Sequence, residues 1–309
     1  MSCKCSCASG LANLGYPACE SVYGITTKLI LVPLLGSTGV LNSYDPAVAF
    51  DQAFLDLKIN ALNHLDRWYP TPLIENILDE TADNVFETSE GGSAYYVKDG
   101  VRKVTGYFFN VSQKFACKLS GNNCGKFGVY MVDNCGNILG VDKGDGKLYP
   151  IPVQDFNSKV MPKTPTTVAK VMFSFEFLQT VGACSLETVN SEFIDADVLG
   201  ANGLLNSLLS VVTSVPNTLT FKLTSEYGSL GNKQAIKGVT LADIVSLTNV
   251  TTSTALGLTS LTESTTVDGQ YVLVYTGTAV ATDQLSIKFT GVVDGYDYAI
   301  PNSNLIPVA

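Results

Sequence analysis

Apolar and polar residues alternate along much of the 309-residue chain, a pattern typical of strands with one buried and one solvated face. The segment TVAKVMFSFEF, residues 167–177, alternates most regularly. Its apolar positions are Val171, Phe173, Phe175 and Phe177. ITTKLILVP, residues 25–33, is rich in β-branched residues and ends at a proline, so it also predicts a strand. The chain is therefore predicted to be mainly β.

Two segments have a helical pattern instead. Asp45 and Pro46 match an N-cap residue followed by proline at the first helical position. From Ala47 to Leu62 apolar residues recur every three or four positions, which predicts an amphipathic helix, and His64 is expected to continue it. Residues 112–119 predict a second, short helix. The expected body is a β-barrel or β-sandwich with one or two helices.

Residues 89–109, SEGGSAYYVKDGVRKVTGYFF, predict a hairpin that turns at Asp99 and Gly100. Both of its strands carry apolar and aromatic residues on both faces. Such faces need to be buried, either by the rest of this chain or by another copy of it. Residues 125–143 predict a second hairpin that turns at Asn134-Cys135-Gly136.

A change in composition after about Glu192 predicts a domain boundary. Residues 191–309 contain 4 basic and 10 acidic residues, against 15 and 18 in residues 1–190. This second part has short strands such as TLTFKLTSEYG and GQYVLVYTGTAV between polar turns, a spacing that favours an immunoglobulin-like β-sandwich. We therefore expect a cysteine-rich segment at 1–24, a β body at 25–192 and the sandwich at 193–309. Residues 199–215 fit either a helix or a strand.

The charge balance argues against a protein that wraps nucleic acid. The net charge is -9, and no cluster of Lys and Arg appears along the sequence for contacts to phosphates. An acidic surface would instead let nucleic acid pass by like-charge repulsion. Charged residues make up only 15% of the chain and hydrophobic residues 46%, which is more typical of assembly proteins than of freely diffusing enzymes.

The eight cysteines raise metal and disulfide hypotheses. Cys3, Cys5 and Cys7 form a C-x-C-x-C pattern without the second ligand pair that zinc sites usually have. We therefore expect reduced thiols, no metal site and no cofactor. A disulfide between Cys117 and Cys124, formed after release from the cell, stays open.

The sequence contains little evidence of a catalytic site. His64 fits a packing or surface role better than that of a base for a Ser or Cys nucleophile. Asp142 and Asp145 in VDKGDGKLY fit a β-turn better than a calcium loop. The four carboxylates between residues 75 and 83 fit a solvated acidic face better than a glycosidase pair. We expect no enzymatic activity.

The sequence also shows no targeting or membrane-spanning signal. Residues 1–24 are small, polar and cysteine-rich rather than basic and then apolar as in a signal peptide. The longest early apolar run, within residues 29–35, is far shorter than the roughly 20 residues that span a bilayer. We expect a soluble protein that is made in a cytoplasm and does not associate with a membrane.

The order of elements resembles the major tail, or tail tube, proteins of long-tailed bacteriophages. The resemblance covers residues 25–180 and lies in a strand, an amphipathic helix, RWYPTPLIENI, the hairpin YYVKDGVRKVTGYFF, the pair FGVYMVDNCGNILG and the strand VAKVMFSFEF. The terminal sandwich, with LTESTTVDGQYVLVYT and Tyr271, resembles the immunoglobulin-like decoration that such virion proteins often carry.

The resemblance implies a virion structural protein, made in the host cytoplasm, that forms stacked and usually hexameric rings and contacts other tail proteins. Inner strands would join into a barrel around a channel through which DNA passes without specific binding. The hairpin faces would then be buried by neighbouring copies, which makes Tyr95, Val97, Val101 and Val104 the predicted oligomer interface. Two alternatives stay open: a capsid decoration or other virion protein, and a carbohydrate-binding or glycan-cleaving adhesin.

Overall fold

The computed structural model describes residues 23–98, 100–123 and 125–308. The described chain is 51% strand and 9% helical, with two α-helices and several β-sheets, none closed into a barrel. The predicted mainly-β fold is confirmed, and the body is a sandwich rather than a barrel. Cys3, Cys5, Cys7 and Cys19 lie outside the described residues.

The chain divides into two units between Gly203 and Leu204. The strands of the first unit are β1 (Thr26–Pro33), β2 (Phe50–Asp51), β3 (Tyr69–Pro70), β4 (Glu75–Thr81), β5 (Val85–Thr88), β6 (Ala94–Lys98), β7 (Arg102–Phe109), β8 (Phe127–Asp133), β9 (Ile138–Asp142), β10 (Leu148–Tyr149), β11 (Ile151–Met161), β12 (Lys170–Phe177), β13 (Leu186–Val189) and β14 (Ile194–Asp195). Its helices are α1 (Gln52–Ile59) and α2 (Gln113–Ser120).

Two sheets of the first unit pack face to face. The central sheet contains β3, β1, β8, β9, β10 and β13, and the outer sheet has the antiparallel order β11-β12-β7-β4. Strand β11 belongs to both, because Ile151 and Pro152 pair with β8 whereas Val153–Met161 pair with β12. The core between the sheets is apolar, and its fully buried members include Leu29, Val104, Val129, Met131, Ile151, Phe173 and Phe175.

The alternation predicted for residues 167–177 is confirmed in β12. Its residues alternate between partly buried and buried positions, with all four predicted apolar side chains inside. The rings of Phe173, Phe175 and Phe177 stack in a row with centroids 6.2 Å apart. This row forms the apolar face that the outer sheet presents to the central sheet.

The central sheet is buried on its second face as well. Tyr130 of β8 contacts Trp68, with ring centroids 5.1 Å apart, and Trp68 contacts Phe54 of α1 at 5.7 Å. Phe50 and Tyr44 complete this aromatic cluster. Because both faces are covered, all seven residues of β8 are buried.

Helix α1 is shorter than predicted and begins later. Its N-cap is Asp51, whose carboxylate accepts a hydrogen bond from the amide of Phe54 at 2.8 Å. Asp45, the predicted N-cap, instead accepts from the amide of Ala47 in a turn. The reason is tertiary, since Phe50 and Asp51 form the extended strand β2, paired with Ile194 and Asp195.

Two local predictions agree with the structure. The second short helix is α2, in which the Ser112 hydroxyl accepts a hydrogen bond from the amide of Phe115 at the N-terminus.

The hairpin between β8 and β9 forms at the predicted turn. There buried Asp133 accepts hydrogen bonds from the amides of Gly24, Cys135 and Asn137. Burial alone would raise the pKa of Asp133, but these hydrogen bonds outweigh it and the pKa is lowered.

The predicted hairpin of residues 89–109 is wrong in its pairing. Strand β6 pairs with β5, not with β7, and their turn lies at Glu90-Gly91-Gly92. Strand β7 lies between β12 and β4 in the outer sheet. Asp99 lies outside the described residues, and Gly100 sits where the chain re-enters the body.

The first unit extends past the predicted boundary at residue 192 because its last segment is bound to the body. Beyond the β14–β2 pairing, the Asp197 amide donates to the side chain of Gln52 at 3.0 Å. Lys28, on buried strand β1, donates from Nζ to the carbonyl of Leu199 at 2.6 Å and to that of Ala201. These contacts hold residues 194–201 against the first unit.

The second unit has the strand order of an immunoglobulin constant domain. Its strands are β15 (Leu205–Val215), β16 (Thr218–Ser229), β17 (Asn232–Ala235), β18 (Ile244–Asn249), β19 (Thr254–Glu263), β20 (Gln270–Thr276), β21 (Gln284–Phe289), β22 (Val292–Val293), β23 (Tyr296–Asp297) and β24 (Leu305–Pro307). One layer has the order β15-β16-β20-β19 and the other β18-β21-β24, which corresponds to strands ABED and CFG. The two layers are joined at one edge, where β19 also pairs with β18. Residues 205–215, left open by the sequence, form a strand.

The core of the second unit lies between these two layers. Leu219, Phe221 and Leu273 of the first layer and Leu247 and Ile287 of the second are all completely buried. Tyr271 is buried among them, and its hydroxyl donates to the carbonyl of Ile236 at 3.0 Å. The predicted immunoglobulin-like sandwich is thus present in residues 204–309.

We predict that residues 1–203 fold without the second unit. Trp68 is the single tryptophan of the chain, is 1% exposed and lies in the first unit, so its fluorescence reports that unit alone. A chain ending at Gly203 should show the same urea midpoint by tryptophan fluorescence as the full chain. A large drop in that midpoint, or an insoluble product, would show that the units depend on each other.

A second prediction concerns Lys28, whose burial lowers its pKa to about 8 from an ordinary value of 10.5. Between these pH values the unfolded chain holds a proton that the folded chain has lost, so the contribution of Lys28 to the unfolding free energy rises with pH. Relative to Lys28→Met, the wild type should gain up to about 3 kcal/mol between pH 7.5 and pH 10.5. Urea unfolding of both proteins across this range measures it, and a pH-independent difference would contradict it.

Candidate subunit interface

The hairpin of β5 and β6, residues 85–98, is an exposed apolar feature of the first unit, and we call it the arm. Every described residue of both strands is exposed. The aromatic side chains are among the most open, with Phe86 57% exposed, Tyr95 62% and Tyr96 54%. A two-stranded hairpin is marginally stable in water without a packed face, so the arm has the character of a binding element.

Apolar side chains occupy both faces of the arm. Phe86 and Tyr96 are opposite each other in the pairing register, and their rings meet edge to face at 5.9 Å. Tyr95 and Val97 alternate with Tyr96 along the strand and therefore point to the other face. Of the two strands predicted to carry apolar residues on both exposed faces, β6 does so, paired with β5, whereas β7 has one face buried in the body.

The base of the arm is held to the outer sheet by backbone contacts. The amide of Ala82 donates to the carbonyl of Val101 at 3.0 Å, and the amide of Gly100 donates to the side chain of Asn84 at 3.0 Å. A Cβ atom on Gly100 would lie 1.6 Å from the carbonyl oxygen of Ala82. Only glycine therefore allows the two chain segments to cross at this distance.

A bidentate ion pair lies just inside that crossing. Arg102 Nε and Nη2 donate to the two carboxylate oxygens of Asp79 at 2.7 and 2.6 Å. The hydrogen bonds to Asp79 raise the pKa of Arg102 above its ordinary value. The Arg102 guanidinium also lies 5.0 Å from the ring centroid of Phe177. The end of β4 and the start of β7 are thus joined to each other where the chain leaves the outer sheet for the arm.

Only two of the four predicted interface residues are exposed on the arm. Tyr95 and Val97 are exposed on the arm, and Val101 is half-buried at its base. Val104 is wrong as an interface residue, because it is 0% exposed and packs in the core between the two sheets. Phe86 was missed, although its spacing from the Gly91-Gly92 turn mirrors that of Tyr96 and could have identified it.

A groove of about 1080 Å³ runs along the base of the arm. Apolar side chains line much of it, including Leu34, Leu41, Tyr96, Val97 and Phe177. Val101 and Lys98 also line it. The arm therefore borders a concave surface on the same unit, and the two together form a continuous contact area.

The other candidate sites are placed as follows. His64 lies in an exposed turn beyond the end of α1, so the helical placement was wrong. Asp142 and Asp145 accept hydrogen bonds from the amides of Gly144 and Lys147, the arrangement of an ordinary turn. Within the described residues no group of three or more His, Cys, Asp or Glu is placed to hold a metal ion.

The carboxylates between residues 75 and 83 are exposed, as expected for a solvated face, and Asp79 is paired with Arg102. Cys117 and Cys135 are exposed, and Cys124 lies outside the described residues. None of the helices in the described part of the chain is long and apolar enough to cross a membrane.

No family model, curated protein or solved structure matches the chain. The arm, its base and the adjoining groove are therefore interpreted from their own geometry.

We predict that Gly100→Ala detaches the arm from the body without unfolding the unit. The added methyl group collides with the backbone of Ala82, which must move and break the hydrogen bonds at the base. Hydrogen exchange of residues 82–98 should increase at least tenfold, while the rest of the first unit keeps its protection. Gly91→Ala is the matched control, because a Cβ there would meet only the Ser89 hydroxyl at 3.9 Å. Equal exchange in the two variants would show that the crossing at Gly100 does not hold the arm.

Proposed function

We propose that the protein is a structural subunit that self-assembles through the arm, and that the assembly is a phage tail tube. The observation that carries the proposal is an exposed hairpin with apolar and aromatic side chains on both faces. A folded chain gains from burying such a surface, and copies of the same chain provide the repeated partner that a tube needs.

The open outer sheet supports this assembly. Strand β4 ends the sheet order, and six of its seven residues are exposed. An exposed edge strand readily pairs with another strand. Edge-to-edge joining of outer sheets around a ring would produce a barrel from subunits that have no barrel of their own.

The tail-tube form of the assembly rests on the resemblance in the order of elements. A two-sheet body with a protruding hairpin suits stacked rings, and the net charge of -9 suits a channel through which DNA moves without sticking. The immunoglobulin-like second unit would decorate the outside of the tube. Hexameric rings, contacts with other tail proteins and a location in the virion are parts of this proposal.

Electron microscopy and sedimentation velocity of the purified protein test the proposal. Rings or tubes with a central channel support a tail tube. A monomer that binds only to preformed capsids would favour a decoration protein, and a monomer that binds glycans would favour an adhesin.

The first variant to test is Val97→Asp. Val97 is 52% exposed on the arm, so the free subunit tolerates the charge, whereas an assembled interface would bury it without a partner at every contact. We expect a folded monomer with unchanged circular dichroism that forms no rings or tubes at concentrations where the wild type does.

The matched control is Val245→Asp, the same substitution at a valine of the second unit that is 65% exposed. It should assemble like the wild type. Normal assembly of Val97→Asp would show that the arm is not buried between subunits.

A further inference from the structure

The two ends of the outer sheet carry opposite charge. At one end, where Arg102 pairs with Thr81, the chain leaves for the arm. Residues 80–98 contain one lysine, Lys98, and four exposed carboxylates: Glu80, Asp83, Glu87 and Glu90. On β7 at the same end, Lys103 lies opposite Glu80 and Arg102 pairs with Asp79, so carboxylates still outnumber the basic groups. We call this the acidic end.

At the opposite end, Phe109 of β7 pairs with Lys170 of β12, which pairs with Met161 of β11. Residues 110–126 and 157–170 surround this end and contain no Asp or Glu. They carry six lysines: Lys114, Lys118, Lys126, Lys159, Lys163 and Lys170. We call this the lysine end.

The fold creates this lysine cluster from two separate stretches of sequence. Helix α2 packs on β11, and its Phe115 ring lies 5.2 Å from the ring of Phe108 near the end of β7, so the helix lies at the same end of the sheet as the β11–β12 turn. No basic cluster is visible along the sequence, because the two stretches are about 30 residues apart in the chain. Strand β7 separates the two ends by about 23 Å, at 3.3 Å per residue.

We propose that the lysine end of one copy receives the acidic end of the next copy, including its arm, so that subunits associate head to tail. This inference rests on the proposed self-assembly and names the two surfaces that meet. Opposite charge steers the encounter and sets the orientation, because an arm-to-arm contact would bring carboxylates together. Different patches on each partner make the contact heterologous, the type that builds rings and open filaments rather than isolated dimers.

Apolar side chains at the lysine end complement those of the arm. Val160, on β11, is 41% exposed, and Val168, in the segment that connects β11 to β12, is 46% exposed. The arm presents Phe86, Tyr95 and Tyr96. Contact between these surfaces would bury the apolar part of the arm while the charges pair around it.

Nucleic acid is an alternative partner for the six lysines of the lysine end. The structure favours a second copy of this chain instead. The complementary acidic surface lies on the same chain, so every subunit carries both halves of the contact.

Charge reversal tests the contact. One variant carries Glu87→Lys and Glu90→Lys, and the other carries Lys159→Glu and Lys163→Glu; all four positions are exposed. Each variant alone should need at least a tenfold higher protein concentration to assemble than the wild type. An equimolar mixture should assemble near the wild-type concentration, because alternating subunits restore opposite charges at every contact.

The control carries Glu187→Lys and Glu192→Lys, two exposed glutamates outside both ends, and changes the net charge by the same amount as the Glu87→Lys and Glu90→Lys variant. It should assemble like the wild type. Sedimentation velocity gives the oligomer distribution, and fluorescence anisotropy with a 30-base-pair duplex gives DNA affinity.

Each other outcome has a defined meaning. If the wild type remains monomeric, the proposed function fails and this inference with it. If the wild type assembles and both reversed variants assemble equally well, or the mixture is not rescued, only the head-to-tail contact is overturned. If the lysine-end variant assembles normally but loses duplex binding that the wild type shows, the lysine end is a nucleic-acid site instead.

Discussion

The burial of the central sheet on both faces is the constraint on which the first unit depends. Strands β1 and β8 pair over seven positions, and apolar side chains extend from them in both directions. One face packs against the phenylalanine row of β12, and the other against the aromatic cluster around Trp68. A strand that is covered twice cannot move or shift register without exposing one of these faces. The remaining elements of the unit are arranged as layers on this sheet.

The arm contrasts with that core because nothing in the described chain covers it. The two regions are nevertheless connected, since β4 and β7 lead from the outer sheet directly into the arm and the Asp79–Arg102 pair fixes the point of departure. The arm is therefore presented from a rigid base, which reduces the conformational entropy lost when it binds. The arm lies at one end of the outer sheet and the lysines lie at the other. The two ends of the first unit are therefore chemically different.

Local sequence patterns correctly predicted the elements that bury only one face. The alternation in β12, the turn around Asp133 and the strands of the second unit all followed from short stretches of sequence. The pairing of β6 did not, because Gly91-Gly92 and Asp99-Gly100 are both acceptable turn sequences and the choice depends on β12, which pairs with β7 from more than 60 residues away. The start of α1 and the end of the first unit were missed for a similar reason, since both depend on the pairing of Phe50 with Ile194. Val104 was predicted to lie at the subunit interface. The residues that bury it belong to the opposite sheet, which the sequence of the hairpin does not reveal.

Strand β11 has a mechanical consequence through its membership of both sheets. It pairs with β8 at its start and with β12 along the rest of its length, with an irregular register between Gln154 and Asn157. A continuous series of backbone hydrogen bonds therefore runs from β4 through β7, β12 and β11 to β8 and β1. A pull on the arm along the β4 and β7 strands loads many of these bonds in shear at once instead of opening them one by one. The first unit is consequently able to resist a pull directed along its strands, because the load is shared among several strand pairs.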